Sequence, residues 1–242
     1  MVFAHSLTLH GQMWKVVAQQ LSQTHRCFIV DVHGHGQSEG PHEDRTLEQL
    51  ADDLVRVLDA LSLDRVTWVG HSMGGMLGQR IALRHPERIT ALALCNTSGQ
   101  AEDEYVRDMY HKVNEKSRGK PTNEMTVNFV LSLMFRDEFR EASPEAVEPF
   151  YKLMRYPPDA EAVYFVAKAV IWRTDLREQL PSIAVPTLII TSEQDVSAPT
   201  AHGVTLESLI PNARRVHLQA CGHVSPVERP DAVTAALREL LA

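Results

Sequence analysis

Val66-Thr67-Trp68-Val69-Gly70-His71-Ser72-Met73-Gly74-Gly75-Met76-Leu77-Gly78-Gln79-Arg80-Ile81 is the stretch whose reading decides how this chain folds. Its first four residues are β-branched, aromatic and apolar, the composition of a buried strand. From Met73 onward the apolar spacing becomes helical, so residues 73–85 read as a helix. Between the two lies Gly70-x-Ser72-x-Gly74. A strand that becomes a helix within so few residues must pass through a strained backbone conformation, and glycines two positions either side let the chain pass closely. Ser72 is expected at that apex, with its hydroxyl pointing off the end of a sheet.

The same strand-then-helix alternation extends outward in both directions. Residues 2–5, 27–32, 66–69, 89–95, 187–191 and 215–218 are short β-branched or apolar runs, separated by longer stretches of helical period. Such alternation predicts an α/β fold, a mostly parallel sheet of about six strands with helices on both faces. The helix from Leu47 shows the pattern best. Leu47, Leu50, Leu54, Leu58 and Leu61 make one apolar stripe, and Thr46 with Gln49 forms a capping box at its start.

Over residues 100–179 the alternation stops, and the text turns helical and charged, broken by Lys120-Pro121, Ser143-Pro144 and Tyr156-Pro157-Pro158. This predicts a helical cap inserted into a core made of residues 1–99 and 180–242. A last helix is expected over residues 230–241, with Val233, Leu237 and Leu240 facing inward.

Composition narrows the class further. The chain has 242 residues, 44% hydrophobic and 23% charged, and a formal charge of −7, so it offers no basic surface to neutralise phosphates. Nucleic acid and anionic membranes are therefore not expected as partners. No apolar run approaches the length of a membrane span and no signal-peptide pattern opens the chain, which points to the cytoplasm. Cys27, Cys95 and Cys221 are odd in number and lack metal-ligand spacing, so they read as reduced thiols. No metal and no cofactor are expected: the glycine-rich Gly34-His35-Gly36-Gln37-Ser38-Glu39-Gly40 lacks the phosphate-loop lysine.

A serine hydroxyl is a weak nucleophile at neutral pH, so it needs a base, and the base needs a third group to fix its tautomer. Asp195 lies just past one predicted strand and His223 just past the next, both where strand ends would meet Ser72. Among twelve histidines, His33, His35 and His71 flank turns, His217 sits within a strand and His202 follows the acid. Each of these reads as structural or solvated. Glu193 is the one close rival to Asp195. A tetrahedral intermediate would need two backbone donors, expected from Met73 N–H after the nucleophile and Leu7 N–H in the His5-Ser6-Leu7 turn, with His5 shaping that turn. Phe129, Met134 and Trp172 are the candidate substrate contacts from the cap, amid an apolar set that includes Met109 and Met125.

Taken together, the elbow, the turn Asp31-Val32-His33-Gly34-His35-Gly36-Gln37-Ser38, and Gly222-His223-Val224-Ser225-Pro226-Val227-Glu228-Arg229-Pro230 give a sequence that resembles the α/β-hydrolase superfamily along nearly its whole length. Ser72-Met73-Gly74-Gly75-Met76, Asn96-Thr97 and Asp175-Leu176-Arg177 are similar to 3-oxoadipate enol-lactonases and related carboxylesterases. The resemblance implies a serine hydrolase that cleaves a carboxylic ester or lactone. An acyltransferase or cofactor-free perhydrolase would use the same residues, and a non-catalytic hydrolase-like receptor could keep them. It also implies an antiparallel hairpin before the first strand, which this sequence lacks. Residues 27–32 are thus expected at a sheet edge, with little charge or proline to blunt it, which suggests a homodimer or a marginally soluble monomer.

Overall fold

A computed structural model describes residues 1–242. Six strands, β1 (Val2–Ala4), β2 (Phe28–Val30), β3 (Val66–His71), β4 (Ile89–Cys95), β5 (Thr187–Ser192) and β6 (Ala213–Leu218), form one sheet in the order β2-β1-β3-β4-β5-β6. Every pairing is parallel, with Phe3 opposite both Ile29 and Val69, and Leu94 opposite Gly70 and Ile189. The expected α/β architecture is the one observed. β2 is the outer strand on its side, and Ile29 within it is exposed.

Eleven α-helices join the strands: α1 (Lys15–Leu21), α2 (Leu47–Ala60), α3 (Met73–Arg84), α4 (Glu104–Ser117), α5 (Glu124–Met134), α6 (Asp137–Ala142), α7 (Pro144–Arg155), α8 (Ala160–Ile171), α9 (Thr200–Leu209), α10 (Ser225–Glu228) and α11 (Pro230–Leu241). Side chains alternate across a strand, so each strand feeds two cores. Val2, Ala4, Trp68, Leu92, Leu94 and Ile189 pack with α2, α3 and α9 on one face. Phe3, Val69, Ala93, Cys95, Leu188 and Ile190 pack with α1 and α11 on the other. Burial on both faces is why these strands read as nearly continuous apolar runs.

The capping box of α2 is formed. Thr46 N–H donates to Gln49 Oε1 at 2.9 Å, and Gln49 N–H donates to Thr46 Oγ1 at 3.3 Å. Leu47, Leu50, Leu54 and Leu58 are buried, but Leu61 is exposed because the helix ends at Ala60 and the stripe no longer continues. Residues between β4 and β5 carry α4 through α8 and no strand. None of the helices is long and apolar enough to cross a membrane.

This topology dictates where a site can form. From β1 the chain crosses through α1 to β2 on one side, and from β3 through α3 to β4 on the other. Neighbouring β1 and β3 therefore send their following loops apart, which opens a crevice at their carboxyl ends. Residues 6–9 and Ser72 stand on its two sides.

Contact between α3 and the sheet depends on Gly78. A Cβ there would overlap the Trp68 ring, whose Nε1–H donates to Gly74 O at 3.0 Å. We predict that Gly78→Ala lowers the unfolding free energy by about 1–3 kcal/mol through this overpacking. Urea denaturation measures it, and an unchanged midpoint would mean that α3 moves freely on the sheet.

Candidate active site

Ser72 caps β3 before α3 with φ 49° and ψ −113°, a left-handed conformation that a residue with a Cβ rarely adopts. The surroundings over-determine it. Ser72 N–H donates to Cys95 O at 2.9 Å, while Ser72 O accepts from Gly75 N–H, Met76 N–H and the Thr97 hydroxyl at 2.9, 3.0 and 2.7 Å. Gly74 N–H donates to His5 O at 3.1 Å. The flanking glycines are needed for contact, not only for freedom: a Cβ on Gly70 would overlap the Gly74 backbone, and one on Gly74 the Ala4 carbonyl.

Asp195 and His223, remote in sequence, are in contact and buried. His223 Nδ1 lies 2.9 Å from both Asp195 carboxylate oxygens. The carboxylate also accepts from Asn96 Nδ2 at 2.9 Å, Ser197 N–H at 2.9 Å and Ala198 N–H at 2.8 Å. Burial alone pushes the Asp195 carboxyl up. The adjacent His223 ring and these donors outweigh it and hold the carboxyl below its ordinary value. Glu193 is turned elsewhere, is exposed, and accepts Ala220 N–H at 2.8 Å.

No hydrogen bond joins the Ser72 hydroxyl to His223 in this structure. The two are linked through the residue before Ser72. His71 Nε2–H donates to His223 O at 2.7 Å, and the two rings stand edge to face at 4.7 Å between centroids. Burial, then the neighbouring His223, pushes the His71 imidazole down to about 3. Met73 opens α3, so its N–H is among those a helix leaves without an internal partner. Leu7 is half-buried in the turn after β1. The remaining histidines bond elsewhere: His33 to Asp53 at 3.1 Å, His217 to Thr191 at 3.0 Å and His202 to Gln100 at 3.1 Å.

The three apolar candidates occupy different places. Met134 ends α5, and its carbonyl accepts Val224 N–H at 3.1 Å, directly beside His223. Phe129, a turn and more earlier on α5, is exposed. Trp172 follows α8 with the Arg107 guanidinium 4.6 Å above its ring and His111 edge-on at 5.7 Å.

Several residues in this region escaped sequence reasoning. Asn96 has φ 49° and bridges Asp195, Ser192 Oγ at 2.8 Å and Ser225 Oγ at 2.6 Å. Buried Glu228 accepts Arg136 Nε at 2.8 Å, Arg136 N–H at 3.1 Å and Gly222 N–H at 3.2 Å. The hints for Asn96 were its position just after a predicted strand and the resemblance of the Asn96-Thr97 pair to the enol-lactonases. For Glu228 it was an acid set among apolar residues shortly after His223.

The family model described as alpha/beta hydrolase fold matches residues 1–230. A 3-oxoadipate enol-lactonase of Acinetobacter baylyi is 28% identical over 100% of this chain and 88% of its own length. A pimeloyl-[acyl-carrier protein] methyl ester esterase of Edwardsiella ictaluri is 27% identical over 99% of this chain and 92% of its own. Among solved structures, the enol-lactonase from Burkholderia xenovorans LB400 superposes with a TM-score of 0.91 at 31% identity, covering 99% of this chain and 90% of that one.

A pH dependence follows from His71. Its imidazole is held neutral in the fold, from an ordinary 6.5 down to about 3, so its contribution to stability is complete above pH 6.5 and is lost as pH falls towards 3. His71→Gln keeps an N–H donor but cannot titrate. Between about pH 7 and about pH 5 the wild type should lose roughly 2 kcal/mol more than this variant. Urea titrations of both proteins at the two pH values test this, and parallel losses would show that His71 does not titrate between fold and unfolded chain.

Proposed function

We propose that this chain, which belongs to the alpha/beta hydrolase fold family, hydrolyses a small carboxylic ester or lactone through an acyl-enzyme on Ser72. The observation that carries this reading is the satisfied Asp195–His223 pair standing one hydrogen-bonded step from a strained Ser72. With Nδ1–H directed at the carboxylate, His223 keeps the Nε2 lone pair for a proton.

In the proposed reaction Ser72 Oγ bonds to the acyl carbon while its proton passes to His223 Nε2. The carbonyl oxygen becomes an oxyanion, met by Met73 N–H and Leu7 N–H. As the C–O bond to the alcohol breaks, the leaving oxygen takes the proton from Nε2. Water then attacks the acyl-serine, giving its proton to Nε2. Cleavage of the acyl–Oγ bond releases the acid and returns the proton to Ser72. Ionised Asp195 offsets the imidazolium charge in both halves. The named activities of the enol-lactonase and methyl ester esterase relatives support an ester or lactone as substrate. Within the proposal, the helices of residues 100–179 form the cap, and Phe129, Met134 and Trp172 contact the substrate. Met134 is tied through its own carbonyl to the His223 loop, which supports its part in the proposal.

Ser72→Ala is expected to lower kcat for p-nitrophenyl esters by on the order of 10⁴-fold or more with no change in the unfolding midpoint. Near wild-type turnover in that variant would sink the assignment. Asp195→Asn should be almost as damaging, because the amide favours the wrong imidazole tautomer, whereas Glu193→Gln should leave kcat nearly unchanged. The reverse order would make Glu193 the acid. For Met134→Ala, the ratio of kcat/KM between short and long acyl esters should shift by about 10-fold, as a pocket that gains a few methylenes would allow. A constant ratio across the chain-length series, with only stability lowered, would assign Met134 to packing alone.

A further inference from the structure

We infer that His35 is a positioning residue that holds the turn of residues 6–9 in the shape an oxyanion donor requires, with His5 bracing the same turn from its start; the inference rests on the proposed role of Leu7 N–H. Sequence reading gave His5 the shaping of this turn and left His35 as a structural or solvated turn residue, and the arrangement brings His35 to the same turn.

Leu9 N–H donates to Ser6 O at 3.2 Å, which closes a four-residue turn with Leu7 and Thr8 at its centre. Thr8 has φ +62°. A positive φ at that third position belongs to a type II turn, where glycine is the usual occupant and a β-branched residue is strained. Rotating the Leu7–Thr8 peptide would relieve Thr8, swing Leu7 O and Thr8 N–H to the other face of the turn, and so change the type of the turn that frames Leu7 N–H on the preceding peptide. The bond opposing that rotation is Thr8 N–H to His35 Nε2, at 3.2 Å.

The two imidazoles are committed to this role by their other nitrogens. His35 Nδ1 lies 2.8 Å from His33 O and His5 Nδ1 2.7 Å from Ser6 O, so each must donate there and each Nε2 must be an acceptor. His5 Nε2 accepts Val32 N–H at 2.9 Å, which pins the start of the turn to the strand end beside it. The rings lie 5.0 Å apart, both buried, and burial pushes both toward the neutral form.

His35 itself rides on a rigid platform. His35 N–H donates to Val32 O and Ser38 N–H to His35 O, each at 2.9 Å. Asp31 ties this turn to Gly11 N–H at 2.7 Å and Gln37 N–H at 3.2 Å. On the far side, His5 O accepts Gly74 N–H from the nucleophile turn. The chain thus runs from a fixed platform through His35 to the strained Thr8, and ends one peptide from Ser72's helix.

Kinetics of three variants test the inference. His35→Phe keeps the ring volume and loses the acceptor. It should lower kcat by about 10²-fold with KM nearly unchanged, the size of effect seen when one oxyanion donor is lost. Affinity for a trifluoromethyl ketone, whose adduct with Ser72 carries an oxyanion, should fall in parallel. His35→Gln offers a side-chain carbonyl to Thr8 N–H and should recover most of the loss. So should Thr8→Gly added to His35→Phe, because glycine holds a positive φ without strain. A His35→Phe enzyme with normal kcat and ketone affinity, or one that neither second change improves, would overturn the inference. Imidazole ¹⁵N shifts of the wild type give a readout that needs no catalysis: His35 must show an unprotonated Nε2, and an Nε2–H tautomer would overturn the inference even if no His35 variant folds. Absence of ester turnover in the wild type would instead reject the proposed reaction and leave this tautomer test standing.

Discussion

Around Ser72 the main chain comes closer to itself than side chains would permit, and the rest of the molecule is arranged about that approach. Gly70 and Gly74 have no space for a Cβ, Gly74 because it lies on the Ala4 carbonyl. This lets α3 start directly against β1, so the residue at the apex is forced to φ 49° and held there by bonds from Cys95, Thr97 and the first turn of α3. The strain is offset by the packing of α3 on β3 through Gly78 and Trp68, both inside the core. A sheet with its switch point between β1 and β3 then delivers the loops that surround Ser72.

A second organising feature is the polar network behind Asp195. A buried carboxylate is costly unless each lone pair has a partner. Here the partners are the His223 ring, the Asn96 amide and two backbone N–H groups in the carboxylate's own loop. Asn96 is in turn oriented by Ser192 and Ser225, so its donor end faces the carboxylate and its acceptor end faces a hydroxyl. The result is a carboxylate that is both fixed in place and held toward its ionised form, with the His223 ring bound to it through Nδ1.

The helical segment between β4 and β5 is joined to these loops by main-chain contacts. Leu133 O accepts the Ser197 hydroxyl at 3.1 Å, Met134 O accepts Val224 N–H at 3.1 Å, and Arg136 pairs with buried Glu228, which also holds Gly222. The end of α5 therefore touches the loops of both Asp195 and His223.

Local chemistry made much of this legible from the sequence. The Gly-x-Ser-x-Gly turn, the capping box at Thr46 and Gln49, and the apolar runs of β3, β4 and β5 are each decided by residues within a few positions of one another, so spacing and residue type suffice to read them. The placement of Asp195 and His223 just beyond strand ends was legible for the same reason, since parallel strands bring their following loops to one edge. What only the tertiary structure decided are partnerships with no local signature: Thr8 with His35 across 27 residues, Asn96 with Asp195 across 99, and Arg136 with Glu228 across 92. Hydrogen bonds of that kind depend on where folded loops converge to within 3 Å or so. In sequence a histidine that braces a strained turn is indistinguishable from one that merely sits in another.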